Sequence, residues 1–386
     1  MTNVTEKIAR VRAALEGREA DRVPIGEFFW SSFTAKAARL YAGGGAFDPY
    51  RHWDLDLIVI TPNMDPHVAG IEILAREADR TVVRTGFGAT IELRPNCPMP
   101  RFLEFGVDSY EDMEAFRFDD PRDPRRFSAR IDDQINSVGD ALNLGLPSFL
   151  ERVDAYAGDF CVFGSVCEPY EMLWRIIGAE NTLIKLAEEP EKTAAFVARL
   201  GDFVVAIAEA QIEAARGKLQ GLYIWGDVAY DRGMFFAPGY WREVFKPVLV
   251  RLCAAAHRAG LKTIYHGCGN ASVLYGDMIE AGVDAYNPLE AKAGLDVVAL
   301  KRRYGRRWAF NGNLDVRVLA TNDRAKVTRE VLTKLNAAKG GGYIVQSDHS
   351  IPGTVAPETY DLVVKLVKEH GRYPLRLGEF DADVGV

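Results

Sequence analysis

The sequence predicts an α/β fold: a (β/α)8 TIM barrel with an N-terminal helix and an inserted hairpin and helical segment after its second strand. Three observations carry that prediction. Eight short apolar runs, at 23–29, 55–61, 160–164, 221–225, 262–265, 283–287, 307–310 and 342–346, each suit a strand, and from residue 160 onward they alternate with helical patterns. The chain has 386 residues, well above the roughly 250 that such a barrel needs. No glycine-rich dinucleotide turn follows the first run, as the competing doubly wound sheet would favour. Residues 1–386 read as one barrel domain with an insertion over about 72–150.

Apolar residues at Val4, Ile8, Val11, Ala14 and Leu15 follow helical spacing and Gly17 closes the run, which predicts a helix over 4–16. The first strand candidate starts at Val23-Pro24, where proline suits a strand's beginning. The second, 55–61, is apolar apart from Asp56, as a strand covered on both faces should be. Residues 81–85 and 89–93 then alternate around Gly86-Phe87-Gly88 like a β-hairpin, foreign to a parallel sheet and so read as inserted. The stretch 95–147, rich in Pro, Asp, Arg and Phe, carries expected helices near 109–117 and 128–140 and suits a lid or an oligomer surface, including that of a homodimer. The six later runs complete the βα rhythm.

Hydrophobic residues make up 48% and charged residues 26%, ordinary for a globular chain. No apolar run approaches the roughly 20 residues needed to cross a bilayer, and the first residues lack a secretory pattern, so no membrane partner and a cytoplasmic location are expected. Five scattered cysteines argue for reduced thiols rather than a disulfide framework. A net charge of −7 without a long basic run gives no electrostatic footprint for nucleic acid.

Polar residues gather where the expected strands end: Glu27, Asn63, Asp65, Glu168, Asp227, His266, Cys268, Asn287, Glu290, Asn311, Asn313, Asp315, Asp348 and His349. In a barrel, that rim forms the binding face. The stretch Thr263-Ile264-Tyr265-His266-Gly267-Cys268-Gly269-Asn270 places imidazole and thiol side by side at one tip. Two readings stand. The pair could hold zinc, with His349 the first choice for a third ligand and Asp227 or Glu168 after it; or His266 could bond a neighbouring loop while Cys268 packs as a small apolar side chain. Asp348-His349 suits a general acid/base pair or a solvated loop. Of Asp227 and Asp231, one could serve as ligand or base and the other could cap the helix beginning near Pro238, and Glu171 reads best as a cap. Phe28, Phe29, Trp30, Trp225, Tyr230, Phe235 and Phe236 fall at strand ends and could wall a flat substrate, or simply pack.

Taken together, residues 11–24, the His266-Gly-Cys-Gly-Asn270 turn, 281–290, 311–315 and 341–352 (Gly-Gly-Tyr-Ile-Val-Gln-Ser-Asp-His-Ser-Ile-Pro) resemble the uroporphyrinogen decarboxylase superfamily over nearly the whole chain. The resemblance implies a (β/α)8 barrel and one of two chemistries. Decarboxylases of the family grip a many-carboxylate substrate with early arginines, and here Gly26-Glu-Phe-Phe-Trp-Ser-Ser-Phe33 has none; on the resemblance, their central aspartate corresponds to the region of Asn63, with Asp65 nearby. The methyltransferase branch ligates zinc through His-x-Cys, matched by His266 and Cys268, and a later cysteine whose place looks to be taken by His349. The resemblance therefore implies zinc-dependent methyl transfer from a small O-, N- or S-methylated donor to a corrinoid, carried by a partner protein, or to a thiol. His266, Cys268 and His349 would hold the metal; His349, Asp348 and Asp227 would act catalytically; Phe28, Trp30, Asn63, Trp225, Tyr230 and Asn313 would line the substrate site. A metal-free decarboxylase or lyase, and a barrel that only binds a tetrapyrrole or corrinoid, are the alternatives.

Overall fold

The computed structural model describes residues 3–68, 71–94, 97, 99–130 and 146–385. In chain order its strands are β1 (Leu57–Ile60), β2 (Glu72–Arg76), β3 (Thr81–Arg84), β4 (Thr90–Leu93), β5 (Arg101–Glu104), β6 (Cys161–Cys167), β7 (Gly221–Trp225), β8 (Ala229–Tyr230), β9 (Gly233–Met234), β10 (Lys262–His266), β11 (Ala285–Asn287), β12 (Ala309–Asn311) and β13 (Tyr343–Ile344). Seven of them form one curled parallel sheet in the order β1-β6-β7-β10-β11-β12-β13. Every neighbour in it pairs in parallel, from Leu57 opposite Cys161 to Asn311 opposite Ile344. Parallel neighbours need crossovers, and helices such as Pro190–Ala214 and Lys246–Arg258 supply them.

The first expected strand is present as bridges rather than as a ladder. Ile25 pairs with Val345 and Gly26 with Leu57, so this segment touches both edges of the sheet. Asp56, the one charge in the second apolar run, explains how it is held. Its buried carboxylate accepts from Ile25 N at 2.8 Å and Arg22 Nη1 at 2.8 Å, and is also bonded by Arg10 of the N-terminal helix. A buried carboxylate with this many donors is tolerable; removing a partner would leave an uncompensated charge, costing about 3–5 kcal/mol.

The strands separate two apolar layers. Leu57, Cys161, Phe163, Tyr223, Ile264, Ala285, Ala309 and Ile344 face inward and pack with Val11, Ala14 and Leu15 of the helix Val4–Leu15. The opposite strand faces meet the surrounding helices in a larger cluster.

The insertion carries its own antiparallel sheet, β2-β3-β4-β5, around Val83, Ile91 and Leu93. The expected hairpin is β3 and β4, joined through Thr90 opposite Arg84. β2 and β5 were not apparent in the sequence because they are largely exposed edges whose residues do not alternate. The helix Tyr110–Ala115 matches an expectation; the one near 128–140 lies, from 131 onward, outside the described residues. Among the described residues no helix is long and apolar enough to cross a membrane.

Candidate functional site

At the C-terminal ends of the parallel strands lies a cavity of about 480 Å3, within the usual range for small-molecule sites. Phe28, Trp30, Trp225, Asp227, His266, Cys268 and His349 all face it. β10 ends at His266, and the turn beyond it brings Cys268 back beside the imidazole. That turn is tightly packed: a Cβ on Gly267 would lie 2.7 Å from the Tyr286 hydroxyl, and Gly269 has φ +74° with Tyr230 O 2.5 Å from where its Cβ would be. Only glycine fits such positions.

Asp227, His266 and Cys268 form the group of potential metal ligands found among the described residues, their ligand atoms within 4.8 Å of one another. His266 Nε2 is 3.6 Å from Cys268 Sγ and 3.6 Å from Asp227 Oδ1. Ligands at roughly 2.0–2.3 Å around a tetrahedral zinc stand about 3.5 Å apart, so both separations from His266 fit. The Asp227 carboxylate is oriented by the Cys268 N–H, which donates to Oδ1 at 2.8 Å.

The imidazole is also oriented from behind. Asn287, at the tip of β11, donates through Nδ2 to Asn311 O at 2.9 Å and Asn311 Oδ1 at 3.1 Å, which turns its Oδ1 toward His266. Nδ1 of His266 stands 2.6 Å from that oxygen, and the Tyr223 hydroxyl donates to the same atom. An amide oxygen only accepts, so Nδ1 carries the proton and Nε2 keeps its lone pair, as a metal-binding histidine requires. Burial pushes the Cys268 thiol well above its ordinary pKa, with the Asp227 carboxylate adding to the rise. A divalent cation held by these three residues would reverse that shift. The donor set, the spacing and the histidine tautomer all fit zinc with three protein ligands and an open fourth position.

The other expected site residues are placed differently. His349 faces the same cavity, its ring stacked on Trp30 at 6.0 Å, and stands outside the group of three. Asp348 is buried and turned to backbone, accepting from Ala291 N and Val316 N at 2.9 Å each; burial raises its pKa. Asn313, at φ +74°, accepts from Val297 N and donates to Leu289 O and Leu295 O beneath the rim. Asn63 is buried and accepts from Asp65 N. Trp225 packs edge-on against His266 at 4.9 Å and tilts against Phe28 at 5.5 Å. Tyr230 is exposed on the β8-β9 hairpin and stacks on Phe235, away from the described cavity wall. Glu168 is buried beside Tyr265 and Trp241, and burial raises its pKa to about 7.

The sequence reading passed over Asn287 as the group that orients His266, and over Arg152, Glu171 and Arg175 as cavity residues. The Asn-Pro dipeptide at the end of a short apolar run was the available signal for Asn287. The arginines sit on helices, where nothing in their spacing distinguishes them from surface residues.

Residues 6–370 match the family described as Uroporphyrinogen decarboxylase (URO-D). A uroporphyrinogen decarboxylase of Streptomyces avermitilis is 30% identical over 191 residues, covering 49% of this chain and 50% of the relative, so the match spans about half of that protein's length. Among solved structures, a methyltransferase from Methanosarcina mazei aligns over 96% of this chain and 99% of its own, with a TM-score of 0.60 and 15% identity, a likeness of fold.

Proposed function

Since the chain belongs to the uroporphyrinogen decarboxylase family, we propose that within it this protein is a zinc-dependent methyltransferase, moving the methyl group of a small O-, N- or S-methylated donor to a corrinoid on a partner protein or to a thiol. The observation that carries this reading is the convergence of Asp227, His266 and Cys268 on one cavity, with Asn287 fixing the imidazole tautomer. On the same reading, the bridged segment at 25–26 takes the eighth position of a (β/α)8 barrel, and the cavity is the mouth of that barrel.

Zinc held by these three residues would supply Lewis-acid chemistry, polarising the donor's heteroatom or lowering a thiol's pKa. The chain's own groups do the rest. Asp227 takes the third ligand position that the sequence had offered to His349. Phe28, Trp30 and Trp225 hold the donor's body and keep water from the reacting carbon. The bond from methyl to heteroatom breaks as a bond from methyl to cobalt or sulfur forms, and the heteroatom leaves with the bonding pair. His349, stacked on Trp30 at the cavity wall, would give that heteroatom a proton.

The test is anaerobic incubation of the zinc-loaded protein with reduced cobalamin, and separately with a thiol, across a panel of methoxy, methylamino and methylthio compounds. Methylcobalamin or a methyl thioether is the expected product, lost in Cys268→Ala. Turnover of uroporphyrinogen by metal-free protein, with no methyl transfer across the panel, would overturn the reading.

A further inference from the structure

One side chain on the cavity floor has no part in holding a metal. The floor is made by inward residues that stand just above the inner apolar layer, because side chains alternate along a strand and every second one faces in. Trp225, His266 and Asn287 follow Tyr223, Ile264 and Ala285 in this way, and Thr61 and Cys167 stand on the same faces of their strands as Leu57 and Phe163. On the last strand the pattern passes from Ile344 to Gln346, since bridges at Val345 and Ser347 keep that segment extended. All six floor residues face the cavity.

They differ in the bonding capacity they retain. Thr61 shares a hydrogen bond with the Ser165 hydroxyl at 2.8 Å, and His266 and Asn287 are bonded to each other. Gln346 is 4% exposed; its backbone carbonyl accepts from Leu314 N at 3.1 Å, and among the described residues nothing hydrogen-bonds its side-chain amide. That amide is also not sealed in the core as Trp225 Nε1 and Asn63 Nδ2 are, so the surface it keeps opens onto the cavity it lines. Its Oε1 is seated against Gly26, where a Cβ would come within 3.2 Å. A primary amide carries two donors and an acceptor, and one so deeply buried is rarely kept without a partner. Small-molecule sites hold few polar groups, and those fix the ligand's orientation. Around the sheet, Gln346 stands three strands from β10 and four from β7, whose ends carry the candidate metal ligands, so it faces them across the mouth. A ligand that meets both is extended, its polar end opposite its methylated one, and the Phe28 and Trp225 rings suit a flat body between them. A carboxylate or a ketone only accepts, which would leave Oε1 without a donor; an N–H beside a C=O answers both amide atoms in one plane.

We propose that Gln346 is a specificity-determining residue, and that the methyl donor ends, opposite its methylated heteroatom, in a neutral primary amide or lactam whose C=O accepts from Gln346 Nε2 and whose N–H donates to Oε1. This deepens the methyltransferase reading and rests on it for the identity of the reacting group.

The test is calorimetric titration of the zinc-loaded protein with 4-methoxybenzamide, 4-methoxyacetophenone and 4-methoxybenzoate, which share one body and differ at its end. The amide should bind at least about tenfold more tightly than the ketone or the acid, since a site built to hydrogen-bond an N–H rejects the analogue lacking it. Gln346→Met keeps the side chain's length and removes its amide. It should bring the benzamide's affinity down to the ketone's, while zinc content and ketone affinity stay as in the wild type, which also shows that the variant folds. Gly26→Ala presses on Oε1 without altering the amide chemically, and should reduce the preference in part. Equal affinity for amide and ketone would mean that water completes Gln346. That result, tighter binding of the benzoate than of the amide, no binding of the amide at millimolar concentration, or a preference undiminished in Gln346→Met or in Gly26→Ala would overturn the proposal. Running amide and ketone on His266→Ala/Cys268→Ala separates the two claims. A preference that persists there, with no methyl transfer by the zinc-loaded wild type, would leave Gln346 as the amide site and remove the methyltransferase reading. Methyl transfer without the preference would do the opposite.

Discussion

Two stretches of the rim look alike in the sequence and behave differently in the fold. At the ends of β7, β10 and β11, Asp227, His266, Cys268 and Asn287 follow apolar strands; beyond β12 and β13, Asn313 and Asp348 do the same. The first set retains bonding capacity that faces the cavity, since Nε2 of His266, Sγ of Cys268 and the Asp227 carboxylate meet there. The second set has its capacity committed to loop backbone. Both Asp348 oxygens are occupied by N–H groups, and Asn313 holds three backbone groups at once. Loops at a barrel mouth contain N–H and C=O groups that no ladder satisfies, and short polar side chains supply what is missing. A polar residue at a strand end is therefore a candidate for chemistry only to the extent that the loops leave it free.

The sharpest way to break that comparison is to cross the two sets. In the His266→Ala/Cys268→Ala double variant, elemental analysis should find metal falling from about one zinc per chain to near none, because a single remaining carboxylate does not hold zinc. Asp348→Ala should keep its zinc and lose stability instead, by about 3 kcal/mol in urea unfolding, since two backbone N–H groups lose a charged acceptor. Zinc loss in Asp348→Ala at full stability would place that residue with the functional set.

Much of this division was beyond the sequence. The later strands were legible because parallel strands covered on both faces are near-continuous apolar runs, and His266 with Cys268 stood out because two good ligands fell two residues apart. The 25–26 segment could not be recognised as bridges alone, since what holds it is Asp56, more than 30 residues away in the chain. Asp227 could be listed but not chosen over His349, because that choice depends on how a loop 41 residues before Cys268 turns back upon it. Asp348 and His349 are adjacent in sequence yet engage different partners, the one backbone, the other the Trp30 ring.

A third kind of strand-end carboxylate widens the contrast. Glu27 is buried, bonded to the Ser347 hydroxyl and to Phe28 N, and burial raises its pKa from 4.5 to about 8. Its folded pKa exceeds its unfolded one, so the stability it contributes is complete below about pH 4.5 and is lost as pH rises toward 8. At about 1.4 kcal/mol per pKa unit the loss amounts to a few kcal/mol. Glu27→Gln cannot ionise, and its urea midpoint should fall less steeply over that range than the wild type's. An unchanged slope would mean that Glu27 is hydrated and already ionised at neutral pH.

The smallest expected effect tests whether the functional set is oriented as well as assembled. Asn287 supplies no expected ligand atom to the metal, yet its Oδ1 lies 2.6 Å from His266 Nδ1 and its Nδ2 is held by Asn311. With the amide gone, the imidazole can place its proton on either nitrogen, and the tautomer with Nε2 protonated cannot bind metal through that atom. Loss of such a supporting partner typically costs 10–100-fold in metal affinity, about 1.4–2.7 kcal/mol. Asn287→Ala should therefore weaken zinc binding by about that factor in competition with a chelator. Asn287→Asp restores an acceptor and should recover most of the loss, whereas a purely structural role would not distinguish the two. The matched change on the committed set, Asn313→Ala, should leave zinc affinity unchanged at any stability that still permits folding. If both asparagines altered zinc affinity alike, the rim would have to be treated as one coupled network, and bonding capacity toward the cavity would no longer separate its two halves.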